Sequence, residues 1–161
     1  MPDFNLRDDI LLLMQYNTEL EAFMLESNKI EGEYELNPND LFVAREAYLG
    51  IKDLKHIKGM HHNITAHLKV DWSGKWRTVN VKVGNHKPPD WQEVPELMLR
   101  YWSNFDRMDS WQAHNEFEHI HPFQDFNGRM GRLIWLSKAI QEGYRFNIPF
   151  LQKYYYQTLS H

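Results

Sequence analysis

Apolar residues recur at helical spacing along most of the chain, and this pattern predicts a mostly helical protein. The first segment, about residues 8–32, carries an apolar stripe and ends at Gly32, a residue type common at helix C-termini. A second helix is expected after Asn37 and Pro38, with a buried face formed by Leu41, Ala44, Tyr48 and Leu49. Further helices are predicted over residues 54–68, 93–105, 110–120 and 132–142, the last one stopped by Gly143.

One stretch has the period of a strand instead. The valines at 79, 81 and 83 alternate with Asn80 and Lys82, which predicts a short hairpin over about residues 74–86. For a short strand pair in general, a surface ribbon that fills a gap between helices is the more ordinary interpretation. The chain has no repeat, low-complexity segment or dividing linker, so a single domain over residues 1–161 is expected.

Composition narrows the class of protein without choosing a function. The chain has 161 residues, 42% of them hydrophobic, which is enough for one substantial core. A net charge of −4 without a Lys/Arg block argues against a general binder of nucleic acid or of anionic membranes. No cysteine is present, which excludes disulfide and thiol chemistry, and the apolar run at residues 10–14 is too short for a signal core or a membrane span. A cytoplasmic protein is therefore expected.

The densest chemistry lies in residues 121–132, which read His-Pro-Phe-Gln-Asp-Phe-Asn-Gly-Arg-Met-Gly-Arg. An imidazole such as that of His121 can accept a proton near neutral pH. The carboxylate of Asp125 is a suitable ligand for the hard cation that accompanies a polyphosphate.

The second half of this run favours anion binding. Asn127 and Gly128 fit a tight turn before a helix, whose first N–H groups lack partners and attract anions. Arg129 and Arg132 lie three positions apart on the opening turn of that helix, so both can reach phosphate oxygens. The run therefore predicts a site for a nucleoside triphosphate.

The same run resembles the signature of Fic (filamentation induced by cAMP) domain proteins, His-Pro-Phe-x-Asp-x-Asn-Gly-Arg-x-x-Arg. The resemblance extends over about residues 27–150, into the preceding helix and into the stretch that the family calls the flap. The matching positions are Gly74, Trp76, Arg77, Val81, Gly84, His86, Pro88, Pro89, Val94, Pro95, Met98, Ala113, His114, Phe117 and Ile120. The fold that it implies is mostly α, a Fic-like helical bundle with a small β-hairpin flap.

The resemblance implies a protein adenylyltransferase, which transfers AMP from ATP to a Ser, Thr or Tyr hydroxyl of a target protein. His121 would take the proton of the hydroxyl, and Asp125 would hold Mg²⁺ across the phosphates. The phosphates would lie against Phe126, Asn127, Gly128, Arg129 and Arg132. Gly128 matches the adenylyltransferase form of the motif, whereas Doc-type kinases carry Lys there, so AMP transfer is favoured over phosphate transfer. Such reactions depend on positioning and charge neutralisation.

Phe126 departs from the pattern, because most Fic proteins have Gly at this position. Glycine is favoured where the backbone takes a positive φ or lies flat against a phosphate. The backbone N–H is kept, and Doc-type proteins, which usually carry Ala there, also have a Cβ. A bulky ring beside the phosphates is expected to narrow the pocket, slow the reaction or change the choice of nucleotide.

A second resemblance lies near the N-terminus, in Ser27-Asn28-Lys29-Ile30-Glu31-Gly32. This run is similar to the Ser/Thr-x-x-x-Glu-Gly/Asn motif of autoinhibited Fic proteins, in which the Glu pairs with an arginine and obstructs the γ-phosphate. Here the resemblance implies that Glu31 pairs with Arg132. By itself the hexapeptide is also typical of an ordinary helix end, with Gly32 as the C-cap. A carboxylate is unfavourable at the negative end of a helix dipole, which favours a cationic partner for it.

The hairpin gains a function only from the resemblance. In Fic proteins the flap edge pairs with an extended segment of the target, a form of strand addition. Here that edge comprises Val79, Asn80, Val81, Lys82 and Val83. Lys75 and Arg77 are expected to tune the docking of the target.

The nine histidines invite a different hypothesis, a metal cluster. It would draw on His61, His62, His114, His119 and His121, but their spacing fits no strong zinc motif. His114 is expected to be a hydrogen-bonding support rather than a metal ligand, and the phosphate site is preferred to a metal centre.

The sequence favours adenylyl transfer that is inhibited by Glu31, but several other functions stay open. The same site is compatible with the reverse reaction, deAMPylation, or with another nucleotidyl or phosphoryl transfer. A catalytically weak nucleotide-binding regulator, disabled by Phe126, is a further alternative. The expected partners are ATP and a target protein, with no nucleic acid and no membrane, and the sequence leaves self-association open.

Overall fold

The computed structural model describes residues 6–143, with side chains described for residue 14 and from residue 16 onwards. The chain divides into two compact units, Met1–Leu36 with Phe146–His161, and Asn37–Arg145. In the first unit, helix α1 spans Leu6–Ile30. Gly32 follows with a φ of +81°, and the N–H of Glu33 donates to the carbonyl of Asn28, so the helix ends on a left-handed glycine as predicted.

Five further α-helices form the second unit within its described part. They are α2 (Asp40–Leu49), α3 (Leu54–Thr65), α4 (Val94–Asn104), α5 (Ser110–Ile120) and α6 (Asn127–Gln141). Short 3₁₀ turns lie at Ala66–Leu68, Trp91–Glu93 and Phe105–Arg107. The prediction of a mostly helical fold is confirmed. None of the described helices combines the length and the apolar character needed to cross a bilayer.

Helix α6 forms the centre of the second unit. Nearly every residue from Asn127 to Ala139 is buried, and the helix packs against α5 and α2. A helix that is enclosed on all sides has apolar residues around its whole circumference, as at Leu133, Ile134 and Leu136. Its N-terminus is therefore held in place by the packing of the whole helix.

Two helix predictions need correction. Helix α6 begins at Asn127 and not at residue 132, because the polar start of the motif already has helical backbone. The buried face of α2 is Asp40, Val43, Ala44 and Ala47, whereas Leu49 is 83% exposed. The spacing of the four buried residues places them on one helix face, and the small alanines permit close approach of a neighbouring helix.

The strand predicted at residues 79–83 is wrong, since no ladder forms there in the described chain. The hairpin is reduced to one antiparallel bridge between Val83 and His86. Side chains occupy backbone groups around the expected strand: the carbonyl of Val79 accepts from Arg77, and Asn80 Oδ1 accepts from the N–H of Trp91. These bonds satisfy part of the backbone without a partner strand.

Candidate active site

His121 ends α5 and opens the motif turn, residues 121–126. Its backbone is left-handed (φ 52°, ψ 60°), an unfavourable conformation for a residue with a Cβ. Its N–H donates to the carbonyl of Phe117 at 2.9 Å and closes the helix. At the other end of α5, Asp109 and Gln112 form a capping box. The helix thus delivers the imidazole at the point where the chain changes direction.

The hydrogen bonding of His121 indicates its tautomer. Nδ1 lies 3.3 Å from the carbonyl oxygen of Glu118, so the proton is assigned to Nδ1 and the lone pair to Nε2. Burial lowers the pKa of His121, the bond to Glu118 opposes this, and the positive charge of Arg77 lowers the pKa further. The imidazole is therefore neutral at pH 7, and Nε2 can accept a proton.

The Arg77 guanidinium binds backbone carbonyls where the motif turn begins. Nε donates to the carbonyl of His121 at 2.7 Å, and the terminal nitrogens donate to the carbonyls of Ile120, Val79 and Pro89. The Arg77 N–H donates to the carbonyl of Pro122 at 2.8 Å. With 2% of its surface exposed, Arg77 joins the flap to the end of α5 from within the protein.

His61 on α3 contacts the later part of the turn, at Phe123 and Asp125. Its Nδ1 accepts from the N–H of Gly74 at 2.9 Å, and its Nε2 lies 2.9 Å from the carbonyl of Asp125. Its ring stacks on that of Phe123, with centroids 3.7 Å apart. Burial lowers the pKa of His61 to about 4, so at pH 7 the ring is neutral and its proton lies on Nε2.

Asn127 closes the turn upon itself. Its Oδ1 accepts from the N–H of Phe123 and its Nδ2 donates to the carbonyl of Phe123, both at 2.8 Å. Asn127, which the sequence predicts to contact a phosphate, is thus buried, and its amide holds the motif turn together. Asp125 lies between Phe123 and Asn127 in the turn, and its carboxylate accepts from the N–H of Phe126 at 2.7 Å.

The remaining residues that the sequence predicts to contact phosphates cluster at the start of α6. Phe126 is the N-cap with a left-handed backbone, and within the described chain no side chain caps this helix end. The first N–H groups of an α-helix carry partial positive charge and attract anions. Gly128, Arg129 and Arg132 lie in the first two turns, and both arginines are largely buried. The geometry joins a base, an exposed carboxylate and a cationic helix start.

The candidate metal donor among the described residues of the motif turn is the carboxylate of Asp125. Among the residues that the structure describes, no three His, Cys, Asp or Glu side chains are grouped as metal ligands. A single exposed carboxylate at Asp125 suits Mg²⁺, which commonly uses one or two carboxylates and completes its shell with water and substrate phosphates. His114 donates from Nδ1 to the carbonyl of Gly131 on α6 at 2.9 Å, as expected of a hydrogen-bonding support.

Residues 52–136 match the model of the Fic/DOC family. This chain belongs to that family. It is 34% identical over 100 residues to the protein adenylyltransferase Fic of Drosophila grimshawi, covering 56% of this chain and 21% of that protein. Its identity to the Culex quinquefasciatus protein of the same name is 31% over 115 residues, covering 66% and 22%. The chain thus spans about a fifth of the length of these relatives.

Solved structures support the same fold. A Fic family protein from Desulfovibrio desulfuricans superposes with a TM-score of 0.59 at 24% identity, covering 80% of this chain and 50% of that one. A Fic domain containing signalling protein from Bacteroides thetaiotaomicron gives a TM-score of 0.57 at 19% identity, covering 82% and 66%. At this level of identity the likeness concerns the fold.

The flap residues of this Fic domain lie at the surface. Asn80 and Lys82 are exposed, Val79 and Val83 are 44% and 41% exposed, and Val81 is half-buried. Arg77 is expected from the sequence to tune target docking, and that expectation is wrong because its side chain is buried and bound to carbonyls of the fold.

The predicted inhibitory residues belong to the first unit of the Fic protein. Ser27 lies in the last turns of α1 and is buried, while Glu31 directly follows the helix and is exposed. The N–H of Glu31 donates to the carbonyl of Asn28 at 3.0 Å, and Gly32 adopts the left-handed conformation. The pairing of Glu31 with Arg132 stays a prediction.

The roles of Arg77 and His61 in holding the motif turn were not predicted from the sequence. His61 carries a signal, because it shares the buried face of α3 with Ile57, Met60 and Ile64, and a polar group on an apolar stripe needs a partner. Arg77 is marked only by the family resemblance, and its burial was not expected because an arginine in an irregular segment is ordinarily exposed.

Proposed function

We propose that this Fic domain transfers AMP from ATP to a hydroxyl side chain of a target protein. The observation that carries the proposal is the position of His121, whose Nδ1 lies 3.3 Å from the carbonyl of Glu118, on the turn that leads into the start of α6. This contact assigns the lone pair to Nε2. Membership of the Fic/DOC family and the names of the relatives support it.

In the proposed reaction the oxygen of a Ser, Thr or Tyr hydroxyl attacks the α-phosphorus of ATP. The hydroxyl proton passes to Nε2 of His121. The bond from the α-phosphorus to the bridging oxygen breaks, and pyrophosphate leaves with the electron pair. Because burial lowers the pKa of His121, the acceptor form is populated at neutral pH.

The other site residues stabilise charge and position the nucleotide. Mg²⁺ held by Asp125 would neutralise phosphate charge when bound. The backbone N–H groups at the start of α6, including that of Gly128, donate hydrogen bonds to phosphate oxygens. Arg129 and Arg132 add positive charge. Asn127 contributes by holding the turn through Phe123. The target chain docks along residues 79–83 of the flap.

We also propose that Glu31 restrains the reaction by pairing with Arg132. The support is the motif Ser27-x-x-x-Glu31-Gly32 and the exposed position of Glu31 after the end of α1. A carboxylate there gains from a cationic partner because it lies at the negative end of a helix dipole. An Arg132 so engaged is withdrawn from the phosphates.

Intact-mass spectrometry tests both proposals. Wild type, Glu31→Gly and Glu31→Gly/His121→Ala are incubated with Mg-ATP, alone and with lysate proteins, and searched for added mass. We expect one AMP mass in Glu31→Gly, less in wild type and none in the double variant. Glu33→Gly, which changes a neighbouring carboxylate, and Glu31→Gly/His119→Ala, which removes an exposed histidine of α5, are the matched controls.

Each other outcome has a definite meaning. A phosphate-sized gain would replace adenylyl transfer by phosphoryl transfer. Equal activity of wild type, Glu31→Gly and Glu33→Gly would remove the inhibitory role of Glu31. Binding of Mg-ATP without a mass gain in any sample would favour a nucleotide-binding regulator.

A further inference from the structure

Phe126 occupies a backbone position that suits glycine. Its φ of 67° and ψ of 17° lie in the left-handed region, where a Cβ is unfavourable. The side chain is nevertheless only 5% exposed, so the ring lies within the protein. A residue kept in this conformation needs compensating contacts from the surrounding structure.

Aromatic rings surround the edge of Phe126. The ring of His61 meets it at 88° and that of His67 at 71°, with centroids 6.5 Å away in both cases. The ring of Trp72 lies 6.4 Å away. These are ordinary distances for edge-to-face and tilted pairs, which favour a defined ring orientation. The cluster of Phe126 with these three residues is called the aromatic platform.

The face of the Phe126 ring carries a cation. Cζ of Arg129 lies 3.5 Å from the ring centroid, within the range of a cation–π contact. Arg129 is 6% exposed, so the contact is shielded from water. A guanidinium that stacks through its face keeps its N–H groups in its own plane, where they can bind a phosphate edge-on.

We propose that Phe126 is a positioning residue, whose ring holds the Arg129 guanidinium at the start of α6 in the orientation that receives the nucleotide phosphates. The inference rests on the proposed function for the identity of the ligand. Phe126 then supports nucleotide binding, and returning to the glycine of the Fic motif weakens it. Under this proposal the Phe126 ring assists nucleotide binding, whereas the sequence alone led us to expect that it narrows the pocket.

Nucleotide affinity provides the first test. Phe126→Leu keeps an apolar side chain without a ring, and Phe126→Gly introduces the motif residue. Phe105→Leu is the matched control, since Phe105 is also 5% exposed and has Lys138 Nζ 4.3 Å over its ring, away from the motif turn. We expect the dissociation constant for Mg²⁺-α,β-methylene-ATP, measured by calorimetry, to rise about 3- to 10-fold in both Phe126 variants. Phe105→Leu should stay within about 2-fold of the parent.

Kinetics separate positioning from general damage. In a Glu31→Gly background, the Phe126 variants should raise KM for ATP more than they lower kcat, because Arg129 contacts the bound nucleotide. Phe126→Gly with unchanged or tighter nucleotide binding would overturn the proposal. A loss of affinity in Phe105→Leu equal to that in Phe126→Leu would assign the effect to lost packing and overturn it equally.

A nuclear magnetic resonance signature distinguishes this inference from the proposed function. The Arg129 Nε–H proton, assigned with Arg129→Lys, should be shifted upfield by the ring in the parent and in Phe105→Leu. In Phe126→Leu it should return towards the usual position. An unshifted proton in the parent overturns the platform whatever the activity. The protein could show a shifted Arg129 Nε–H proton in the parent and weaker nucleotide binding in the Phe126 variants, yet transfer no AMP. That result would support the aromatic platform and reject only the proposed reaction.

Discussion

Arg77→Lys is the sharpest test of how the motif turn is held. The substitution keeps the positive charge but removes the planar fork that reaches four carbonyl oxygens, those of Val79, Pro89, Ile120 and His121. A lysine ammonium is a single point on a flexible stem and cannot span all four. Carbonyls on both the flap and the end of α5 therefore lose donors.

The magnitude follows from the number of bonds lost. A hydrogen bond to a charged group contributes about 1.5–3 kcal/mol, so the loss of two of them costs roughly 3–6 kcal/mol before relaxation. The total stability of a domain is about 5–15 kcal/mol. We therefore expect Arg77→Lys to remain folded at 25 °C but to lose about 3 kcal/mol of unfolding free energy.

Urea unfolding at pH 7.5 measures this loss, with Arg107→Lys as the matched control on an exposed arginine. The control should change the unfolding free energy by less than about 0.5 kcal/mol. If Arg77→Lys behaves like the control, the buried bonds do not hold the turn and the reasoning is refuted. This result is independent of any activity of the protein.

Two further predictions concern the surroundings of the site. Burial lowers the pKa of His61 and His114 from 6.5 to about 4, so the unfolded chain binds more protons between these values and stability falls as pH falls from 6.5. We expect each histidine to remove about 2 kcal/mol by pH 5, and equal urea midpoints at pH 5 and 7 would contradict this. In Gly131→Ala the new Cβ would lie 2.0 Å from Oε1 of Glu118, so the glutamate must move, at about 1–2 kcal/mol. Adding Glu118→Ala should recover most of that loss in a thermal melt, and no recovery would place the strain elsewhere.

The local features were predictable from the sequence. Helix α5 has the predicted bounds, Ser110–Ile120, because its apolar spacing and its Asp109 cap act within a few residues. The chemistry of residues 121–132 was also visible, since the groups that form it are adjacent in the chain. Periodicity failed at residues 79–83, where the Arg77 side chain takes the carbonyl of Val79 and the Asn80 side chain binds the N–H of Trp91 instead of facing a partner strand.

The non-local contacts were not predictable. His61 and Asp125 are 64 positions apart, and Arg77 and His121 are 44 positions apart. No local pattern specifies which distant carbonyl a buried donor will reach, because that depends on the packing of several helices. Asn127 shows a related limit: the motif identified the residue, but only the fold shows that its amide binds Phe123.

Both ends of the motif turn have left-handed backbone, His121 at a φ of 52° and Phe126 at 67°. Each such residue costs about 1–2 kcal/mol unless surrounding contacts offset it. Arg77 supplies those contacts at one end, and at the other His61 holds the carbonyl of Asp125 while Phe126 packs into the aromatic platform. Under the proposed function, folding thus organises the turn before the nucleotide binds, so the binding free energy of the nucleotide is not needed to order it. Disturbing Arg77 or His61 should therefore lower kcat, whereas disturbing the contact between Phe126 and Arg129 should raise KM.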